Sequence, residues 1–144
     1  FDGNTYRYDY KAASFDSAWR MRIYGPKVVP ANGYFRGEFY VNFFQGSEQD
    51  TVFYQLDGGE WKRMRYVIEE DPHVCGLRYE WDHAEVLPAG TRPSNPSPCY
   101  HLWKARMPNR TGEGTHTINI RVADRFGRTY RDSFQFRAVT VAVK

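Results

Sequence analysis

The chain has 144 residues, of which 41% are hydrophobic and 17% aromatic, and its formal net charge is +3. This composition excludes an intrinsically disordered chain and supports one hydrophobic core, built mainly from the strand-forming residues Phe, Tyr, Val and Ile. Basic and acidic residues are interleaved, without the dense basic stripe that binding to a nucleic-acid backbone requires, so we expect no nucleic-acid partner. No apolar run is long enough to span a membrane, so we expect no membrane-spanning segment.

The first residues predict an extended lead-in over 1–18, which is polar and rich in tyrosine. We interpret residues 1–144 as one sandwich domain. Because the chain begins with Phe1 and not with Met, we expect it to be a fragment of a longer multidomain protein. Apolar and polar residues alternate from Trp19 to Tyr24, which predicts a strand. Pro26, Pro30 and Gly33 predict a loop after it.

Two further strands follow, over 36–44 and 52–56, each with one uniformly apolar phase. The sequence Asp57-Gly58-Gly59 predicts a tight hairpin, since primed turns need residues that adopt positive φ. The return strand, 60–68, places Trp61 on the phase opposite to Met64, and we expect its indole on the outer face.

Residues 69–98 interrupt the alternation with five prolines. The two cysteines of the chain flank most of this segment, Cys75 inside it and Cys99 directly after it. We predict a long loop insertion here, with at most a short helical turn over 80–86. Two alternatives stand for the cysteines, a disulfide and two buried thiols. We predict the disulfide if the protein is exported, because it would constrain a loop that has no regular structure of its own.

The last third of the chain predicts three strands, over 99–107, 115–123 and 129–136, with a turn at Asp124 to Gly127 between the last two. In total we count seven or eight short strands and no convincing amphipathic helix of ten residues or more. This pattern predicts an all-β fold, an antiparallel two-sheet immunoglobulin-like β-sandwich with a long Pro-rich insertion.

Motifs of catalysis are scarce. The sequence has no GxSxG, HExxH, Walker A or CxxC motif. Asp71-Pro72-His73 has the spacing of a carboxylate and an imidazole that could share a metal ion, and His83 and His101 are the further candidates for an independent metal-dependent hydrolase. The alternative, which we favour, is a loop histidine beside a proline turn.

Five segments together suggest a family, namely DGNTYRYDY, RMRIYGP, LDGGEWKRM, HLWKARMP and THTINIRVADRFGRTYRDSF. In order and spacing they resemble the C-terminal domain of exported calcineurin-like metallophosphoesterases of the Bacteroides group. The insertion from Cys75 to Cys99 has no clear match in that pattern.

The resemblance implies a non-catalytic accessory domain without catalytic residues, cofactor or metal of its own. It also implies a partner, the catalytic phosphoesterase domain of the same chain, which would hold two divalent metal ions. The metal motifs of that catalytic domain are D-x-H, GDxxD, GNH[DE] and GHxH. Of these motifs only D-x-H has a formal counterpart in this chain, Asp71-Pro72-His73. Its sequence context differs from that of the family motif, so we do not assign it the family's metal-binding role. The resemblance further implies export, to the periplasm or the cell surface.

An aromatic cluster at the end of the insertion predicts a docking or ligand surface, formed by Trp81, His83, Tyr100, His101 and Trp103. It would contact the catalytic domain, or else the insertion packs back on its own sandwich. As a second function we consider a carbohydrate-binding module that stacks sugars on Trp61, Trp81 and Trp103. A core position for one or two of these indoles is the stronger reading.

Overall fold

The computed structural model of the chain describes Gly3, residues 13–16 and residues 18–142, so most of the predicted lead-in lies outside the described residues. Ten elements follow one another, nine strands and one helix. Their bounds are β1 Met21–Tyr24, β2 Val28–Pro30, β3 Glu38–Phe43, β4 Thr51–Leu56, β5 Trp61–Arg63, β6 Arg65–Glu70, α1 Pro72–Asp82, β7 Pro98–Arg106, β8 Gly114–Ala123 and β9 Thr129–Val139.

The strands form two sheets, one with the order β1-β3-β7-β6 and one with the order β2-β9-β8-β4-β5. Immunoglobulin-type sandwiches have this order, in which strands A, B, E and D face strands G, F and C. The predicted all-β sandwich is thus confirmed. It is antiparallel except for β2 and β9, which pair in parallel, and β2 lies where the sequence predicted only a loop.

The predicted return strand, 60–68, is two strands in two different sheets. β5 pairs with β4, whereas β6 pairs with β7 in the opposite sheet. Met64 lies at the crossing, is 3% exposed, and donates its backbone N–H to the carbonyl of Val52. Met64, Tyr66 and Ile68 read as one continuous apolar phase from the crossing onward, so this pattern did not show that the chain changes sheets at Met64.

The hairpin of β8 and β9 contributes much of the core. Its ladder runs without a break from Gly114 opposite Ala138 to Ala123 opposite Thr129. Ile118, Ile120 and Val122 on β8 are fully buried, as their alternation predicted. Asp124 closes the turn, because one of its carboxylate oxygens accepts the backbone N–H groups of both Phe126 and Arg128.

Aromatic rings fill the space between the sheets. Phe39 on β3 packs edge-on against Tyr54, and Trp103 on β7 is 1% exposed and packs edge-on against Tyr66. A Cβ atom on Gly46 would come within 2.8 Å of the Trp103 ring. The core is therefore closely fitted around Trp103, and this residue cannot belong to a surface.

The predicted insertion, 69–98, is more ordered than the sequence indicated. Glu69 and Glu70 end β6, Pro98 begins β7, and α1 occupies 72–82, so only residues 83–97 are irregular. We expected no amphipathic helix of ten residues or more and at most a helical turn over 80–86, whereas α1 has 11 residues; it buries no residue and lacks an apolar stripe, so the apolar periodicity did not indicate it. Its start is encoded locally, by Asp71 as N-cap and Pro72 at the first helical position, where proline is favoured.

We predict that Trp103→Ala lowers the free energy of unfolding by about 3–5 kcal/mol, the usual cost of emptying a large core site. Trp61→Ala, on the outer face of the other sheet, should cost clearly less. Urea unfolding followed by fluorescence measures both. Similar losses in the two variants would contradict the core position of Trp103.

Candidate functional site

Helix α1 lies over the outer face of the four-stranded sheet. Asn42 points outward from β3, and its side-chain amide donates a 2.6 Å hydrogen bond to Asp71 at the start of α1. Beyond this contact, an open groove of about 990 Å³ separates the helix from the sheet, with Tyr24 and Glu69 on one wall and Tyr79 on the other. This groove explains why a helix that belongs to the fold has no buried residue.

A β-bulge in β7 brings His101 into the same region. Val67 is paired with Leu102 and Glu69 with Cys99, so β7 has one residue more than β6 between these pairs. An extra residue breaks the alternation and redirects side chains. His101 therefore reaches Asn42, although strict alternation would place it on the core side with Trp103.

Four side chains form what we call the polar cluster, which consists of Asn42, Asp71, Cys99 and His101. Because the Asn42 amide nitrogen donates to Asp71, its oxygen is free to accept from Nδ1 of His101, at 2.6 Å. This assigns the Nδ1–H tautomer to His101. Sγ of Cys99 lies 3.4 Å from the same nitrogen. The result is a chain of hydrogen bonds from β7 through β3 to the helix.

The electrostatics of the cluster do not activate its groups. Burial raises the pKa of the Cys99 thiol, and burial lowers the pKa of His101 against the opposing effect of Asp71. Burial also raises the pKa of Cys75, assisted by its contact with Glu70, and lowers that of His73. Near neutral pH the thiols are protonated and these two imidazoles neutral, whereas a nucleophilic cysteine needs a lowered pKa.

The proposed metal ligands do not fit a metal site. One oxygen of Asp71 accepts the backbone N–H of His73 and the other accepts from Asn42, so the D-x-H motif is a helix N-cap. His83 instead ends α1, where it stacks on Tyr79 with 3.9 Å between ring centroids. Among the described residues, no group of three or more His, Cys, Asp or Glu side chains is placed to hold a metal ion.

The predicted aromatic surface is divided by the structure. Trp103 is a core residue, which corrects its assignment to a docking or sugar-binding surface. Trp61 is half-buried and covered by the guanidinium of Arg121, 4.5 Å from its ring centroid, so this face of the ring is not free for a sugar. Trp81 is half-buried on α1, while Tyr100 is 63% exposed and its carbonyl accepts from the Tyr66 hydroxyl.

Both cysteines are free thiols in the structure. Sγ of Cys75 contacts Glu70 on β6, and Cys99 is paired with Glu69, the neighbouring residue of the same strand. The two thiols therefore approach the same end of β6 from α1 and from β7. A bridge between them stays a prediction.

Sequence reasoning missed an exposed apolar patch on α1 and the segment after it. Its members are the exposed apolar residues Leu77 and Tyr79 on the helix and Val86 and Leu87 after it, and we call this set of residues the α1 patch. Val86 and Leu87 are 81% and 86% exposed, the highest values among the large hydrophobic residues that the structure describes. The signal was present in the adjacent pair Val86-Leu87, which lies in a segment without periodicity and so had no predicted core to face.

The fold and this site define a β-sandwich module whose cluster of polar groups holds elements together and presents no activated group. A family model described as the C terminal of calcineurin-like phosphoesterase matches residues 1–130. The chain belongs to this family, and it is a C-terminal domain of a calcineurin-like phosphoesterase. No curated protein and no solved structure matches it. In the described part of the chain, no helix is long and apolar enough to cross a membrane.

We predict that Asp71→Ala lowers the free energy of unfolding by about 2–4 kcal/mol, since losing an N-cap costs about 1 kcal/mol and orphaning a buried donor, here Asn42, about 1–3 kcal/mol. Asp71→Asn should lose about 1 kcal/mol less than Asp71→Ala, because asparagine still caps the helix, whereas its NH2 group cannot accept the hydrogen bond from Asn42. Denaturant unfolding measures both. A manganese-dependent rise in the melting temperature of the wild type, absent from Asp71→Asn, would point to a metal site instead.

A second prediction concerns pH. Since burial lowers the pKa of His101 below its usual 6.5, the unfolded chain binds more protons than the folded one in the range below 6.5. The stability that neutral His101 provides is complete above pH 6.5 and is lost as the pH falls towards its folded pKa. His101→Gln should therefore flatten the fall in melting temperature between pH 7 and 5.

His116 provides the contrast. Its hydrogen bond to Asp57 raises its pKa, so its contribution is complete below pH 6.5 and is lost as the pH rises through the folded value. His116→Gln should therefore make the loss of melting temperature on acidification steeper. Parallel pH profiles of the two variants, measured by calorimetry, would show that His101 does not titrate as its burial requires.

Proposed function

We propose that this chain is a non-catalytic accessory domain that packs against the catalytic domain of its own phosphoesterase through the α1 patch. Membership of the family supplies the partner, because a C-terminal domain of a phosphoesterase belongs with a catalytic domain. The observation that carries the proposal is the exposure of Val86 and Leu87, a few residues after half-buried Trp81 in the chain. Adjacent apolar side chains this exposed are typical of a surface that another domain covers.

The geometry around the patch supports docking. Arg92, in the segment after α1, makes two hydrogen bonds of 2.7 and 2.8 Å to the carboxylate of Asp82 at the end of the helix. His83 caps the helix through its backbone N–H to the carbonyl of Tyr79. Both contacts restrain residues 83–97 relative to α1. A segment that is already restrained loses less conformational entropy on binding.

The aromatic residues take unequal parts in this proposal. Trp81, His83 and Tyr100 belong to the docking surface, since each is accessible and lies on α1 or next to the segment that follows it. His101 is held in the polar cluster and supports the surface from behind. Trp103 takes no direct part because it is buried in the core.

The location and the metal content of the parent protein form the second part of the proposal. Like the exported Bacteroides proteins that it resembles, the phosphoesterase would lie in the periplasm or at the cell surface. There Cys75 and Cys99 would pair and tie α1 to β7. Two divalent metal ions would bind in the catalytic domain, since the carboxylate and imidazole groups of this domain are engaged in its own structure.

We predict that Val86→Ser with Leu87→Ser, in the full-length phosphoesterase, separates the unfolding of the two domains into two calorimetric transitions. Burying a valine and a leucine contributes about 1.5–3 kcal/mol each, so the interface would lose roughly 3–6 kcal/mol. If the patch lies near the active site, the KM of the full-length phosphoesterase for bulky phosphate esters should change as well.

The matched control is Val28→Ser with Val141→Ser, which removes two apolar side chains that are 52% and 57% exposed away from α1. This variant should unfold like the wild type. Circular dichroism of both variants would verify that the sandwich is intact. Unchanged cooperativity in a well-folded Val86→Ser, Leu87→Ser protein would disprove docking through the α1 patch.

A further inference from the structure

The outer face of the five-stranded sheet, on the side of the sandwich opposite to α1, carries positive charge without negative charge. Along each strand, the residues between the buried positions point to this outer face. The strand register places these residues opposite one another on neighbouring strands, so that they form rows across the sheet. Among the described residues of β4, β5, β8 and β9 that point to this face, none is Asp or Glu. We call this surface the arginine face, and its members are Thr51, Phe53, Gln55, Trp61, Arg63, Thr115, Thr117, Asn119, Arg121, Ala123, Thr129, Arg131, Ser133, Gln135, Arg137 and Val139.

One row of this face contains three of its four arginines. Arg63 is paired with Phe53, Phe53 with Arg121, and Arg121 with Arg131. Like charges directly opposite each other on neighbouring strands lower the stability of a sheet. The pair of Arg121 and Arg131 therefore works against folding, and an anion bound between the two guanidinium groups would remove the repulsion.

No acidic side chain among the described residues neutralises the four guanidinium groups. None of them forms an ion pair in the part of the chain that the structure describes. Arg121 lies over the rings of Phe53 and Trp61, at 5.1 and 4.5 Å from their centroids, which fixes its position. Arg63, Arg131 and Arg137 are exposed. The nearest acidic residue at the rim, Asp57, is engaged by His116 and by the backbone of Thr117.

The spacing of the charges indicates an extended ligand. Neighbouring strands lie about 4.8 Å apart, so Arg63 and Arg131, three strands apart, are separated by about 14 Å. Arg131 and Arg137 lie six residues apart on β9, or about 20 Å at 3.3 Å per residue. A single small anion reaches only one or two of these positions, whereas a polymer with repeated anionic groups reaches all four.

Polar groups fill the space between the arginines. Asn119 donates to Gln55 across the strands, and Thr117, Ser133 and Gln135 complete a surface of amides and hydroxyls. Such groups form hydrogen bonds with sugar hydroxyls, and guanidinium groups form paired hydrogen bonds with carboxylates and sulfates. We propose that the arginine face binds an acidic polysaccharide, which would hold the phosphoesterase on a polyanionic matrix.

Other occupants match the face less well. A protein partner would need the apolar, aromatic centre that interfaces have, and apart from Val28 at the edge no large exposed hydrophobic residue lies here. Single-stranded nucleic acid needs free aromatic faces on which bases stack, whereas Arg121 covers both Phe53 and Trp61. An anionic membrane would favour apolar side chains that insert, which are likewise absent from the described residues of this face.

The test uses the full-length phosphoesterase with Arg121→Gln and Arg131→Gln together. Binding to polygalacturonate and to dextran sulfate is measured by affinity electrophoresis at low salt, with neutral dextran as the blank. The double variant should bind at least about tenfold more weakly, since two charged hydrogen-bonding groups are lost. Arg121→Lys with Arg131→Lys keeps the charge and should retain part of the binding. The control, Arg65→Gln with Arg106→Gln, removes the same charge from the other sheet and should bind like the wild type.

The alternatives give different results. An unchanged melting temperature, or a higher one, in Arg131→Gln would show that this arginine is not kept for stability, and a strong decrease would count against the proposal. Equal losses of binding in the Arg121, Arg131 variant and in the control would overturn it, since net charge alone would then explain binding. Tighter binding to oligo-dT or to phosphatidylglycerol vesicles than to either polysaccharide would overturn the choice of ligand, and no binding of any probe would overturn the site. Because α1 lies on the other sheet, these outcomes are independent of docking to the catalytic domain.

Discussion

The buried carboxylate of Asp71 is the contact on which the unusual part of this sandwich depends. A buried carboxylate is costly unless its oxygens are hydrogen-bonded, and here one oxygen caps α1 while the other accepts from Asn42 on the sheet. The same contact sets the direction of the helix and orients the Asn42 amide towards His101. The position of the α1 patch therefore depends on Asp71, whose carboxylate accepts hydrogen bonds both from the first turn of the helix and from Asn42 on the sheet.

This arrangement also explains why a group of residues with the appearance of an active site has no activated member. Catalytic cysteines and histidines are recognised by pKa values shifted towards their reactive forms. In the polar cluster, burial shifts the thiol and the imidazole towards their neutral forms. The polar groups of the cluster connect β3, β7 and α1 through hydrogen bonds, which is a structural role.

The two outer faces of the sandwich differ in character. One face carries α1, which is linked to it through Asp71 and presents exposed apolar side chains, whereas the other face presents arginines and amides in register. The core between them separates the two surfaces, so the domain could contact its catalytic domain on one side and a polyanionic ligand on the other. This division gives a physical reason for an accessory domain with two chemically distinct faces.

The sequence by itself determined the strands, because a period of two in polarity reflects a backbone with one buried face. Ile118, Ile120 and Val122, and the turns at Asp57 and Asp124, were predictable for this reason. The start of α1 was also encoded locally, in Asp71-Pro72, although proline was interpreted as a sign of a loop. Membership of the phosphoesterase family agrees with the order of the sequence segments.

Only the tertiary structure decided which sheet each strand joins and which neighbours its side chains meet. The segment 60–68 reads as one strand in sequence, although the chain changes sheets at Met64. The bulge that brings His101 to Asn42 depends on the pairing of β6 with β7, and Trp103 is buried because the opposite sheet covers it. Arg63, Arg121 and Arg131 are far apart in the chain and form one row only through strand register. Register is a long-range property, and local periodicity carries no information about it.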